Sequence, residues 1–156
     1  MSNVTTTFTS TLDAGAVSYE LLEHERTDRA ADEAAALGVG TEEVAKTIVV
    51  TAGDTNVRVV LPASERLDMH KLRALLATGK ALHLLTEDDL ARDYPEFELG
   101  AVPPLGGRTD EVIVDRRIAE LDRIAIEAGS HSHSVRIAPA DLVSAAQARV
   151  ADVCAD

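Results

Sequence analysis

The chain has 156 residues, 46% of them apolar, and a formal net charge of −12 at pH 7. That is one ordinary domain with enough apolar sequence for a buried core, and its longest apolar runs, such as residues 48–50 and 81–85, are far too short to span a bilayer. With no basic and apolar leader pattern and a single cysteine, Cys154, the sequence predicts a cytoplasmic protein with no membrane segment, no intramolecular disulfide and no cysteine-built metal cage, the thiol being a bystander.

Residues 1–15, with Thr and Ser clustered from Thr5 to Thr11 and no periodicity, read as a flexible lead-in to a domain covering residues 16–156. Val17-Ser-Tyr-Glu-Leu-Leu reads as a first strand. Asp28 is placed to cap an Ala-rich helix with Ala30, Ala34 and Leu37 on one face and Gly38 beyond its end. After a turn at residues 41–43, the β-branched run 47–51, the turn 53–56 and the alternating Val57, Val59 and Leu61 predict a hairpin. Asp68 caps a second helix carrying Met69, Leu72 and Leu76, with Gly79 as its stop. Residues 82–85 are extended, and Thr86 with Asp89 forms a capping box for a short third helix. Residues 94–109 hold three prolines and three glycines, which exclude a regular helix or a central strand and predict a long ordered loop. Three strand candidates follow at 111–115, 124–127 and 134–138, and Pro139 then opens a final helix aligning Leu142, Ala146, Val150 and Val153. So many adjacent strands exclude a doubly wound fold. The order predicts a single compact α+β domain with a mixed, curved sheet of about six strands flanked by helices.

Three places carry candidate chemistry. Lys46 starts the most strand-like run, where alternate residues turn inward; it is read either as a cation at a pocket mouth, holding a phosphate or an oxyanion, or as a strand-end lysine snorkelling to water. In Gly100-Ala-Val-Pro-Pro-Leu-Gly106 the glycines flank a rigid Pro-Pro corner, so the backbone either approaches a ligand closely or only makes a structural turn. In Gly129-Ser-His-Ser-His-Ser, His131 and His133 share one side if the last strand starts that early. Such a histidine serves as a hydrogen-bonding group at a pocket rim, as a solvated turn residue or, with a third ligand such as His24 or Asp115, as a metal ligand. No H-E-x-x-H pattern, second His pair or Cys pair supports metal, so neither a metal nor a cofactor is expected. His70 and His83 read as packing or surface residues. No nucleophile elbow, Walker loop or dinucleotide fingerprint is present.

Taken together, Val44-Ala-Lys46-Thr-Ile-Val-Val, Leu67-Asp-Met-His-Lys-Leu, Gly100-Ala-Val-Pro-Pro-Leu-Gly106 and Ile137-Ala-Pro-Ala-Asp-Leu142 resemble the YbaK / prolyl-tRNA-synthetase-associated family of editing domains, in order and in spacing, over about residues 16–150. The resemblance implies a hydrolase acting on the ester of a mischarged tRNA, whose 3′ end enters the pocket, with a small amino acid such as alanine or cysteine on a tRNA(Pro)-type substrate. It implies that Lys46 contacts the terminal nucleotide's phosphate. It implies that the backbone of the loop bearing Gly100, Val102, Pro103, Pro104 and Gly106 shapes the amino-acid pocket, with Leu22 and the turn Gly129, Ser130 and His131 contributing. Two positions depart from the family pattern: Leu22 stands where the cysteine-editing branch often has tyrosine, and Ser130-His131-Ser132-His133 replaces a Gly-Lys-Arg-Gly-like turn, where His131 is a candidate stand-in for an arginine donor. An aminoacyl ester is already activated, so positioning and backbone donors supply rate without a protein nucleophile. The acidic balance opposes extended phosphate binding, but a contact limited to terminal nucleotides needs only one or two cations. With twelve Arg and three Lys, the composition is equally open to a reading as genome bias or adaptation to a saline cytoplasm. The alternatives are a non-catalytic tRNA- or synthetase-binding module of the same fold, with an aminoacyl-tRNA synthetase as partner, and hydrolysis of another small ester or thioester.

Overall fold

The computed structural model describes residues 6–27, 30–77 and 81–156. Its centre is the hairpin of β2 (Val44–Ala52) and β3 (Thr55–Pro62), paired in register from Ala45↔Pro62 to Ala52↔Thr55. The loop between them is therefore only Gly53-Asp54, two residues shorter than the sequence suggests, with Gly53 at φ 74 as a glycine-first hairpin turn requires. Around this hairpin lie β1 (Tyr19–Glu23), β4 (Leu82–Leu84), β5 (Glu111–Asp115), β6 (Ile124–Ser130), β7 (His133–Ile137) and β8 (Arg149–Ala151). They form one mixed sheet of eight strands, not six, in the order β1-β7-β6-β2-β3-β5-β8, with β4 added to β2. The β6–β2, β3–β5 and β5–β8 pairs are parallel, so helices must carry the crossovers.

The predicted caps are in place. Asp68 accepts the His70 and Lys71 N–H groups at the start of α3 (Met69–Leu76), and Thr86 with Asp89 forms a reciprocal capping box on α4 (Glu87–Asp93). The other helices are α1 (Thr6–Ala14), α2 (Ala30–Leu37), α5 (Arg116–Ala119) and α6 (Pro139–Ala146), the last with proline in its first turn. Asp28 and Gly79, read as a cap and a stop, lie outside the described residues; α3 ends on Ala77 in the left-handed region at φ 51.

Two expectations are corrected. Residues 6–14 are not a loose lead-in: Phe8 and Leu12, one helical turn apart, are fully buried against α6 and the sheet. The final helix stops at Ala146, where Gln147 turns left-handed at φ 50, and Val150 belongs to edge strand β8 with 47% of its surface exposed. Cys154, read as a bystander thiol, is fully buried with its backbone bridged to Leu67, and burial pushes its thiol up to about 12.

The core divides by sheet face. Ala45, Val60, Ile124, Ile126, Val135 and Ile137 pack under α1, α5 and α6, whereas Val50, Val57, Val59, Leu61 and Ile113 pack under α3 and the C-terminal Val153 and Cys154. A third cluster joins Val49 of β2 to Tyr94, Phe97 and Val102, fastening the proline-rich loop to the sheet.

Candidate functional site

Beside β2 the sheet opens. On the edge away from β3, β6 pairs only with Val44 and Ala45, and β4 pairs only from Val50 to Ala52. Residues 46–48 between them have no strand partner on that edge, and a cavity of about 160 Å³ fills the gap. Thr47, Ile48 and Val49 of β2, Leu84 and Leu85 after β4, Leu90 of α4, and Gly100 and Val102 of the loop line it. The wall is mainly apolar. Thr47 Oγ1 is buried with no hydrogen-bond partner, and the Gly100 N–H has no acceptor among the described residues. A buried hydroxyl left unpaired costs about 1–3 kcal/mol, so it needs an explanation, and a ligand group is one.

The loop is held in place by its carbonyls. Arg58, on β3, is buried with Asp110 (side chains 1% and 2% exposed) at 2.9 Å. Its guanidinium also donates to the carbonyls of Pro103 (2.9 Å), Gly106 (2.7 Å) and Arg108 (3.0 Å). It lies 4.8 Å from the Tyr94 ring centroid, and the Tyr94 hydroxyl donates to Asp110 at 2.6 Å. Burial and that bond push the Tyr94 hydroxyl up to about 12. The sequence-predicted loop thus divides in two: Gly100 and Val102 line the cavity, whereas Pro103 and Gly106, with Pro104 between them in the chain, give their carbonyls to Arg58. Gly106 sits at φ 97, and a Cβ there would come 2.8 Å from the backbone of Thr7 and Phe8, so its glycine is required by the approach of α1.

Lys46 is half-buried, immediately before Thr47, and the alternation of β2 sends its side chain to the opposite strand face. It has no hydrogen bond or ion pair among the described residues, and burial lowers its pKa, with Arg66 acting in the same direction and Cys154 and Glu65 against it. An under-compensated, partly desolvated cation is favoured by an incoming anion.

The two histidines of the 130–134 turn do not share a side. His133 Nδ1 lies 2.7 Å from Ser130 Oγ and its Nε2 lies 3.2 Å from Glu23, but Ser130 is 3% exposed and accepts the Ser132 N–H, so it is no accessible nucleophile. His131 is 9% exposed with both nitrogens occupied, Nδ1 by Glu127 at 2.7 Å and Nε2 by the Leu99 carbonyl at 2.7 Å. It stands behind the loop, where a Cβ on Gly100 would lie 3.4 Å from its Cε1. Gly129, at φ 102, receives the Glu98 N–H on its carbonyl and so ties the same loop to β6. Leu22 is half-buried opposite Ser134 on β1 and is not among the residues lining the cavity.

Sequence reasoning missed the acids behind this turn. Glu33 of α2 is 3% exposed, accepts from Ser134 Oγ at 2.5 Å, and is raised by burial. Glu127 is raised to about 7 by burial and by the charge of Glu33. No signal in sequence joins Glu33 to Ser134, 101 positions apart. Groups of three or more His, Cys, Asp or Glu arranged to hold a metal do not occur among the described residues, and no described helix is long and apolar enough to cross a membrane.

A family model described as the aminoacyl-tRNA editing domain matches residues 24–145. Among solved structures, the hypothetical protein APE2540 is 26% identical with a TM-score of 0.86, over 96% of this chain and 99% of that one. A protein described as a proposed trans-editing enzyme for prolyl tRNA synthetase is 21% identical with a TM-score of 0.85, over 100% of this chain and 99% of that one. No curated protein matches in sequence.

Proposed function

The chain belongs to the aminoacyl-tRNA editing domain family, and from that premise we propose that it is a trans-editing deacylase: it hydrolyses the ester of a mischarged tRNA carrying a small amino acid such as alanine or cysteine, with tRNA(Pro)-type substrates and the cytoplasm as its setting. The observation that carries the reading is the cavity at the open edge of β2. At about 160 Å³ it admits a small side chain, and the Gly100 N–H on its lining, with no acceptor among the described residues, suits an ester carbonyl. The likeness in fold to a proposed trans-editing enzyme along nearly its whole length supports action in trans.

In this reading the aminoacyl side chain rests on Val49, Leu85, Leu90 and Val102, and the carbonyl oxygen accepts from the Gly100 N–H, whose bond strengthens as the oxyanion develops. Lys46 attracts the terminal phosphate. Water or a substrate hydroxyl or thiol attacks, because the ester is activated and needs chiefly to be oriented. Editing by size is needed because a synthetase pocket separates amino acids differing by one methylene by only about 1–3 kcal/mol. The long loop recognises through its backbone, which explains how a chain of net charge −12 handles a nucleic acid: it grips one end rather than a phosphate track.

The test is hydrolysis of a panel of mischarged tRNAs, including alanyl- and cysteinyl-tRNA(Pro), by the wild type and Lys46→Ala at low salt. Selective hydrolysis that drops at least tenfold in a folded Lys46→Ala protein is expected, tenfold being about 1.4 kcal/mol of transition-state binding. Absence of hydrolysis across the panel would leave a binding module instead.

A further inference from the structure

The Glu127–His131 pair has no part in the reading above, yet it adjoins the one backbone donor that the reading uses. The Leu99 carbonyl can only accept, so His131 Nε2 must carry a proton to bond it at 2.7 Å. At the other side of the ring, Nδ1 and Glu127 Oε2 are also 2.7 Å apart. A bare Nδ1 lone pair facing a carboxylate would repel, so one proton must occupy that gap, carried formally by the imidazolium or by the carboxylic acid. The Leu99–Gly100 peptide is trans, as are all described peptide bonds, which sets its N–H opposite its C=O. A carbonyl drawn toward His131 therefore turns the Gly100 N–H away from His131, on a residue that lines the cavity.

We propose that Glu127 is a positioning residue of this site: it shares one proton with His131, and His131 in turn holds the Leu99 carbonyl so that the Gly100 N–H is aimed into the cavity. This rests on the editing reading only for its effect on catalysis; the latch itself is a statement about hydrogen bonds. The fold spends a good deal to keep the proton there. Glu127 is faced by the Glu33 carboxylate from α2 and by Glu98 from the loop, both of which disfavour a bare carboxylate. On His131, burial works against the charged form, while the bonds to Leu99 and Glu127 outweigh it and Arg26 opposes them. Glu33 is itself held by Ser134 and faced by His24. The pair keeps its proton below about pH 7 and gives it up above, freeing the Leu99–Gly100 peptide to rotate.

Glu127→Gln is the discriminating variant, because its side-chain amide donates to Nδ1 at every pH and leaves Nε2–H on Leu99. Two measurements follow, each from pH 6 to 8.5. In 1H–15N spectra, the Gly100 amide of the wild type should titrate with a midpoint near 7, and that of Glu127→Gln should not. In deacylation, kcat/KM of wild type relative to Glu127→Gln should be near one at pH 6 and fall by about tenfold or more at pH 8.5, since one oxyanion donor is worth on the order of a hundredfold. Taking the ratio cancels the intrinsic rise of ester hydrolysis with hydroxide. His131→Ala should be slow throughout. A Gly100 amide that does not titrate, or titrates alike in both proteins, overturns the proposal, as does a flat rate ratio. If no tRNA is hydrolysed but Gly100 still titrates only in the wild type, the latch stands and the editing reading falls.

Discussion

Replacing Arg58 by methionine keeps a long unbranched stem and removes every bond of the guanidinium. The loss is calculable from the cage. Arg58 is 1% exposed and makes one ion pair and bonds to three carbonyls, with Asp110 itself 2% exposed. Counting each charged bond separately at about 1.5–3 kcal/mol overstates the cost, because Tyr94 and Arg108 still donate to Asp110 and the carbonyls of Gly106 and Arg108 lie close enough to solvent to recover water. The governing quantities are one charged bond lost from Asp110, which keeps Arg108 and Tyr94, at about 1.5–3 kcal/mol, and a buried Pro103 carbonyl left without its donor, at about 1–3 kcal/mol. Arg58→Met should therefore lose about 4 kcal/mol, which at a urea m-value of about 2 kcal/mol/M lowers the unfolding midpoint by about 2 M. Circular dichroism during urea titration measures this directly. Asp110→Asn should cost less in the Arg58→Met background than in the wild type, since the Arg58–Asp110 bond is then already gone. A loss below about 1 kcal/mol for Arg58→Met, or fully additive losses in the double variant, would refute the view that this cage pins the loop.

The other perturbations are more local. Thr47→Val removes a buried hydroxyl that has no partner, so the variant should gain about 1 kcal/mol in urea unfolding while its deacylation rate falls; a loss of stability would mean that the hydroxyl is satisfied after all. Gly100→Ala forces a Cβ onto φ 82 and to 3.4 Å from His131 Cε1, and should cost about 1–2 kcal/mol of stability together with a disproportionate loss of activity, read as kcat/KM against the unfolding midpoint. Stability should fall as pH rises: Glu127, at about 7 folded against 4.5 unfolded, contributes fully below pH 4.5 and loses its contribution through pH 7, and the raised His131 and Glu33 act in the same direction. Urea midpoints at pH 4.5, 6 and 7.5 check the slope, which Glu127→Gln should flatten.

Local signals were legible in the sequence and non-local ones were not. The hairpin, the Asp68 cap and the Thr86–Asp89 box are written within a few residues of themselves, and all three form. The α1 helix escaped notice because Phe8 and Leu12 are its only large inward residues among Thr and Ser, which by propensity favour turns. The overlong α6 came from Val150 and Val153 continuing a helical spacing that nothing local interrupts; no Gly or Pro marks Gln147 as the end. Arg58 alternates with Val57 and Val59 onto the other sheet face, and the partner that buries its guanidinium is a loop 45 positions away, which no local pattern marks. In the candidate site, Gly100 and Val102 stand out in the sequence because glycine and proline leave a mark on it, and Lys46 because its setting is unusual. Glu33, Glu127 and Thr47 leave none.

The loop from Tyr94 to Asp110 shows why it needs clamps at two points. It gives the Glu98 N–H to Gly129, but its prolines lack N–H groups and its glycines lack side chains, so its carbonyls take buried donors from the rest of the fold. Arg58 serves Pro103, Gly106 and Arg108, while His131 serves Leu99. The two donors differ in one physical respect. Arginine stays charged at every accessible pH, so its clamp is permanent, and its removal is felt as stability. A histidine paired with a carboxylate keeps its proton only over part of the pH range, so its clamp is conditional. The permanent clamp holds the part of the loop that packs on α1, and the conditional one holds the peptide beside the cavity. A pH dependence carried by the loop should therefore appear in Gly100 and in catalysis while the Arg58 cage, reported by the Tyr94 ring and the Pro103 region, stays unchanged over the same range.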